Sequence, residues 1–196
     1  MKVAQVKCPQ CSEPIYMKQK DEMFYCKNCG TIHNRDVHGI HRVPYEIADA
    51  RAPANGKLYY MPFWRLYCNI SIRSRNVQGG ALHKLAAAFT GGDKGGRVPI
   101  YVPASDLDVS TFRQWAVQLT TDPPRYNTRT DFAEVERVPA TVLQEDALEL
   151  ADFVVVTLEA EKPGTLQYLD YELKVLESKL VYLPFAHGGG GLSLFL

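Results

Sequence analysis

The clearest pattern lies mid-chain, where Trp64, Leu66, Cys68, Ile70 and Ile72 alternate with Arg65, Tyr67, Asn69, Ser71 and Arg73. A period of two marks a half-buried strand. Leu169, Tyr171, Leu173 and Val175 repeat the alternation, and Leu180 to Phe185 is a further strand-like run. Phe112, Trp115, Ala116 and Leu119 recur at helical spacing, with Ser110 as the expected cap and Asp122-Pro123-Pro124 as the stop. Thr141-Val142-Leu143-Gln144 has the form of a capping box, predicting a helix to about Ala151. Phe153 to Glu159, rich in valine, reads as a strand, and Lys162-Pro163-Gly164 as a turn. Ala81 to Phe89 has helical tendency. Near the N-terminus, Ile15 to Lys18 and Glu22 to Tyr25 read as two short strands about a Lys20-Asp21 turn. The sum is an α+β protein with mainly antiparallel sheet, its last strands forming a meander.

Composition narrows this. Of 196 residues, 46% are hydrophobic, which supports a real core. Lys+Arg and Asp+Glu number 22 each, so no net charge draws the chain toward nucleic acid or an anionic membrane. No run approaches the roughly 18 apolar residues of a membrane span, and membrane insertion is not expected. Met1 to Gln5 leads into the first cysteine pair without the pattern of a signal peptide.

Four of the five cysteines fall in two pairs, Cys8-Pro9-Gln10-Cys11 and Cys26-Lys27-Asn28-Cys29-Gly30. Two residues between cysteines let one tight turn aim both sulfurs at one ion, and a hairpin between the pairs returns the second to the first. That spacing points to a structural Zn²⁺ held by Cys8, Cys11, Cys26 and Cys29. Four thiolates also hold iron, which remains open. Gly30 is expected at positive φ, turning the chain away after the second pair. Paired CxxC motifs fit a reducing compartment, hence a cytoplasmic location.

On these four cysteines the segment from Gln5 to His33 resembles the zinc-ribbon (rubredoxin-like) superfamily. The resemblance implies a zinc ribbon over residues 1–36 and leaves 37–196 as an α+β domain. Ser12 stands where glycine often follows the first pair. Members serve in transcription factors, ribosomal proteins and helicases, so the resemblance implies a fold and a metal rather than an activity.

Repeats suggest a duplication. Arg-Val-Pro occurs at 42–44, 97–99 and 137–139. Leu58-Tyr59-Tyr60-Met61-Pro62-Phe63-Trp64 is echoed by Leu180-Val181-Tyr182-Leu183-Pro184-Phe185-Ala186 and, more faintly, by Ile100 to Ala104. Two related halves, 42–100 and 137–190, are the corresponding expectation. Their prolines predict bent or edge strands.

Other chemistry is sparse. Gly91 to Gly96 lacks the Gly-Lys-Ser/Thr ending of a phosphate loop. His33, His38 and His41 match no closed metal site and read as a solvated linker. Cys68 has inward strand parity and reads as a small buried hydrophobe. His83 and His187 have no legible partner, and Glu145, Asp146 and Glu149 fit a solvated helix face. Tyr60, Phe63, Trp64 and Arg65 lie in an aromatic cluster that serves as sheet core, protein interface or base-stacking surface.

The function expected is a zinc-stabilised, non-enzymatic binding or assembly module with a protein partner, the interface candidates being Tyr60, Phe63, Trp64 and Arg65. The alternative is nucleic-acid binding through Lys18, Lys20, Tyr25 and Lys27 of the ribbon. An enzyme of unknown class is the third reading, without a catalytic residue to name. Leu192 to Leu196 is almost wholly apolar and is expected either to close the sheet as a last strand or to mediate self-association.

Overall fold

The computed structural model describes residues 6–15, 20–36, 39–50, 57–78, 95–162, 164–188 and 191–196. The helix expected at Ala81 to Phe89, and residues Gly91 to Lys94 of the glycine-rich run, lie outside them. In chain order the strands are β1 (Val6–Lys7), β2 (Pro14–Ile15), β3 (Met23–Cys26), β4 (Thr31–Asp36), β5 (Gly39–Val43), β6 (Tyr45–Ala48), β7 (Leu58–Gln78) and β8 (Gly95–Pro103). Helix α1 (Val109–Thr121), β9 (Thr128–Arg129), β10 (Glu136–Arg137), helix α2 (Gln144–Ala160), β11 (Thr165–Gly188) and β12 (Gly191–Leu194) complete the order. The fold is mixed α and β, dominated by strands.

Two long antiparallel strands form its spine. β7 has 21 residues and β11 has 24, paired from Leu58↔Ala186 to Gln78↔Thr165. The alternation from Trp64 to Ile72 is the inward face of β7. The runs at Leu169–Val175 and Leu180–Phe185, expected as separate strands, are one strand. A register shift between Val175 and Glu177 separates them. The extra residue Leu176 changes side-chain parity, which hides a continuous strand from a period-two reading. The meander is likewise replaced by a mixed arrangement: β8 is antiparallel to β7 on its outer edge and β10 parallel to it. On the outer edge of β11, β6 is parallel and β12 antiparallel.

The echoed heptads meet in the middle of this spine. Tyr60 faces Pro184, Met61 faces Leu183 and Pro62 faces Tyr182, so each Tyr-x-Pro lies across the other in reverse. The prolines are therefore central rather than on edge strands, and local geometry explains why. The Pro62 carbonyl accepts from Ala104 N–H and the Pro184 carbonyl from Phe195 N–H, so both residues turn their polar sides outward. There the neighbouring strand changes, from β8 to β10 beside Pro62 and from β6 to β12 beside Pro184. The missing donors fall at breaks in the ladder.

The heptads furnish both faces. Tyr60 and Tyr182 flank the Phe132 ring edge-on, at 5.5 and 4.9 Å between centroids. On the opposite face Phe63 and Phe185 stack at 5.7 Å against Trp115 of α1. Tyr60, Phe63 and Trp64 are fully buried, so their interface reading gives way to the core: both strand faces are covered, by α1 on one side and α2 with Phe132 on the other. Arg65 is held by Glu46 and Tyr126.

The helices differ from expectation in detail. α1 is capped by Asp108, which accepts from Ser110 and Thr111 N–H, rather than by Ser110. α2 continues through Phe153 to Glu159 instead of giving way to a strand, and starts after Leu143 without a side-chain cap. Ala147, Ala151, Val154 and Val155 are buried at helical spacing against the sheet. β-branched residues lower helix propensity by about 0.5 kcal/mol each. Packing each on the sheet is worth more than that.

Candidate metal centre

The first cysteine turn lies between β1 and β2, the second between β3 and β4. Ser12 N–H donates to Cys8 C=O at 2.8 Å, and Gly30 N–H donates to Cys26 C=O at 2.9 Å. Both turns end on a left-handed residue, Ser12 at φ 62° and Gly30 at φ 65°. Serine thus takes the conformation that glycine takes in the second turn. The Tyr45 hydroxyl, from β6, donates to Gly30 C=O and anchors that turn to the main sheet.

The four Sγ atoms converge. Cys8 and Cys29 stand 3.6 Å apart, Cys11 and Cys26 3.5 Å, and all four lie within 4.8 Å of one another. A tetrahedron of thiolates with Zn–S about 2.3 Å has S···S edges of about 3.8 Å. The donor set fits a metal ion of that kind, and four sulfurs favour zinc. Among the described residues no other group of three or more Cys, His, Asp or Glu ligand atoms comes together.

The surroundings favour the thiolate at two of the four cysteines. Burial raises the Cys8 thiol, but hydrogen bonds, first among them those from the N–H groups of Cys11 and Gln10, bring it down to about 5. The Asn28 side chain lowers Cys11. Burial pushes Cys26 up to about 12, so without metal that sulfur keeps its proton. A metal replaces it, as ligation requires deprotonated cysteines.

Two neighbours escaped the sequence reading. Thr31 and His33 share one face of β4, and both are buried. Thr31 Oγ1 lies 2.9 Å from Cys29 Sγ and 2.9 Å from His33 Nε2. His33 therefore belongs to the rear of the cysteine cluster, not to a solvated linker. The alternation Thr31, His33 directly after Cys29 was the available signal. His41 is exposed on β5, and His38 lies outside the described residues.

The cluster is joined to the main sheet by a buried carboxylate. Asp21, 3% exposed, accepts from the Arg137 guanidinium, from Ala140 N–H at 3.1 Å and from Met23 N–H at 3.2 Å. Arg137 also donates to the Tyr182 hydroxyl at 3.0 Å. Met23, Ile32 and Val43 pack in one core with Trp64 and Tyr182.

Of the residues named for nucleic acid, Tyr25 and Lys27 line one groove beside Cys26 with Glu13 and Asn28. Tyr25 is half-buried, its ring edge-on to Phe132 at 5.0 Å. Lys20 lies elsewhere, 3.5 Å from Asp106, and Lys18 is outside the described residues. Glu145, Asp146 and Glu149 lie exposed along α2. The C-terminal residues form β12 on the chain's own β11, with Leu192 and Leu194 against the cluster of Phe185 and Trp115. Among the described residues no helix is long and apolar enough to cross a membrane. No protein-family model, curated protein or solved structure matches the chain.

Proposed function

We propose that the chain is a zinc-stabilised binding or assembly module whose N-terminal segment is a zinc ribbon built onto an α+β body. The observation that carries this reading is the closed donor set. Cys8, Cys11, Cys26 and Cys29 fill all four tetrahedral positions, whereas a catalytic zinc keeps one for water or substrate. The metal then stabilises the fold and takes no part in a reaction.

The crossed heptads support descent of the two halves from a duplicated strand, each copy contributing Tyr-x-Pro-Phe to a shared core. A binding role draws on the helices. Val109, Phe153 and Val156 are 76%, 44% and 45% exposed, and the Phe153 ring contacts Phe112. Exposed apolar side chains of that size suit a protein partner.

The test is affinity purification of the tagged chain with and without nuclease, beside a Phe153→Asp/Val156→Asp variant. Partners that resist nuclease and are lost with the variant support the module. Recovery that vanishes with nuclease favours nucleic-acid binding instead.

A further inference from the structure

We propose that Thr31 and His33 form a buried hydrogen-bond relay that orients Cys29 and offsets part of the charge of the metal centre. The inference rests on the metal reading above and concerns residues that do not themselves ligate. Four thiolates around one Zn²⁺ leave a net charge of about −2. Cys8 and Cys26 are 1% and 2% exposed, so water reaches little of that charge. Buried charge requires hydrogen-bond donors.

Backbone N–H groups in the two turns supply Cys8 and Cys26. The Asn28 side chain serves Cys11. For Cys29 the side-chain donor is Thr31, at 2.9 Å.

The direction of each bond follows from what each group can do. A thiolate only accepts, and Cys29 Sγ at 2.9 Å is much nearer to Thr31 Oγ1 than Cys8 Sγ at 3.7 Å, so the single Thr31 hydroxyl proton points to Cys29 Sγ. Thr31 Oγ1 then accepts from the group on its other side, His33 Nε2, at 2.9 Å. This places the imidazole proton on Nε2. Nδ1 agrees: it is buried and has no hydrogen-bond partner among the described residues, as befits a bare lone pair rather than an N–H. The Nε2 atom also stands 3.7 Å from Cys8 Sγ, beyond the 2.9 Å at which it meets Thr31 Oγ1.

Strand register builds the relay. β4 pairs with β3 through Cys26↔Thr31 and Phe24↔His33, which turns Thr31 and His33 to the sulfurs and sends Ile32 to the core. Outer-shell partners of this kind alter metal affinity by about 10–100-fold.

Four full-length proteins test it beside the parent: Thr31→Val, which keeps shape without the hydroxyl, Thr31→Ser, which restores it, His33→Phe, and the Thr31→Val/His33→Phe double variant. Each is loaded with zinc and with Co²⁺. The measurements are metal per chain, the rate of zinc loss to a chromophoric chelator, and the sulfur-to-cobalt charge-transfer band. Expected are one metal per chain throughout and zinc loss about 10–100-fold faster in Thr31→Val. Thr31→Val should also shift the band, and Thr31→Ser should behave as the parent. The double variant should lose zinc no faster than Thr31→Val, because His33 acts through Thr31. A merely structural role would leave the charge-transfer band in place. Parent-like rates and bands in Thr31→Val and His33→Phe overturn the relay while the metal site stands. Multiplying effects in the double variant overturn it too, His33 then acting on Cys8 directly. A parent that takes up neither metal overturns the site itself, and the relay with it.

Discussion

Ser12 and Gly30 close equivalent turns in the same left-handed conformation, yet only glycine adopts it without penalty. For an L-residue the conformation costs about 1–2 kcal/mol. Ser12→Gly is therefore expected to raise the melting temperature of the metal-loaded protein, and Gly30→Ala to lower its stability by about 1–2 kcal/mol. A methyl group at Gly30 would meet only Tyr45 Oη at 3.9 Å, so the penalty is one of backbone conformation, not of crowding. Cys68 gives a second test at this scale. Burial pushes its thiol up to about 12, so it stays protonated at neutral pH and closed to reagents that attack thiolates. In a timed thiol assay, chelator should open the cysteine hairpins and so expose four cysteines, Cys26 losing the burial that holds its proton, and denaturant should expose the fifth. Fast reaction of Cys68 in the folded, metal-loaded protein would contradict its place in the core. At Asp21, one carboxylate serves the Arg137 guanidinium and two backbone N–H groups. Asp21→Ala should cost about 3–5 kcal/mol, as removal of one partner of a buried ion pair does, read from chemical denaturation.

Among the elements, those with one strong period were legible and those with competing signals were not. β7 showed in the alternation from Trp64 to Ile72, and α1 in Phe112, Trp115, Ala116 and Leu119. The second half of α2 reads locally as a strand because Val154, Val155 and Val156 favour one, while the burial of Val154 and Val155 against the sheet is a tertiary fact. β11 was divided because Leu176 reverses parity midway. The pairing of the two heptads was invisible for a different reason: recurrence in sequence says nothing of which strands meet. In the candidate metal centre the convergence of the four cysteines was readable from spacing alone, whereas Thr31 and His33 needed the β3–β4 register to be seen beside the sulfurs. β12 agrees with the first expectation for the C-terminus, a last strand that closes the sheet. Because it pairs with β11 of the same chain, deleting Leu192–Leu196 should lower the melting temperature and leave the oligomeric state unchanged in light scattering.

Across the whole molecule, the strands that carry the second cysteine pair share a core with the long sheet, while Cys8, Ile15, Phe24 and Cys26 form a small cluster of their own. Met23, Ile32 and Val43 pack with Trp64 and Tyr182, Asp21 reaches Arg137, and Tyr45 reaches Gly30. Loss of the metal should therefore be felt beyond the N-terminal segment, with chelator lowering the melting temperature of the entire chain in one cooperative transition. If a closed four-sulfur zinc site holds the chain together, X-ray absorption at the zinc edge, with elemental analysis of protein prepared without chelator, should find one zinc per chain in a single shell of four sulfurs at about 2.3 Å. Absence of bound metal, or a shell in which oxygen or nitrogen replaces one of the sulfurs, would contradict it.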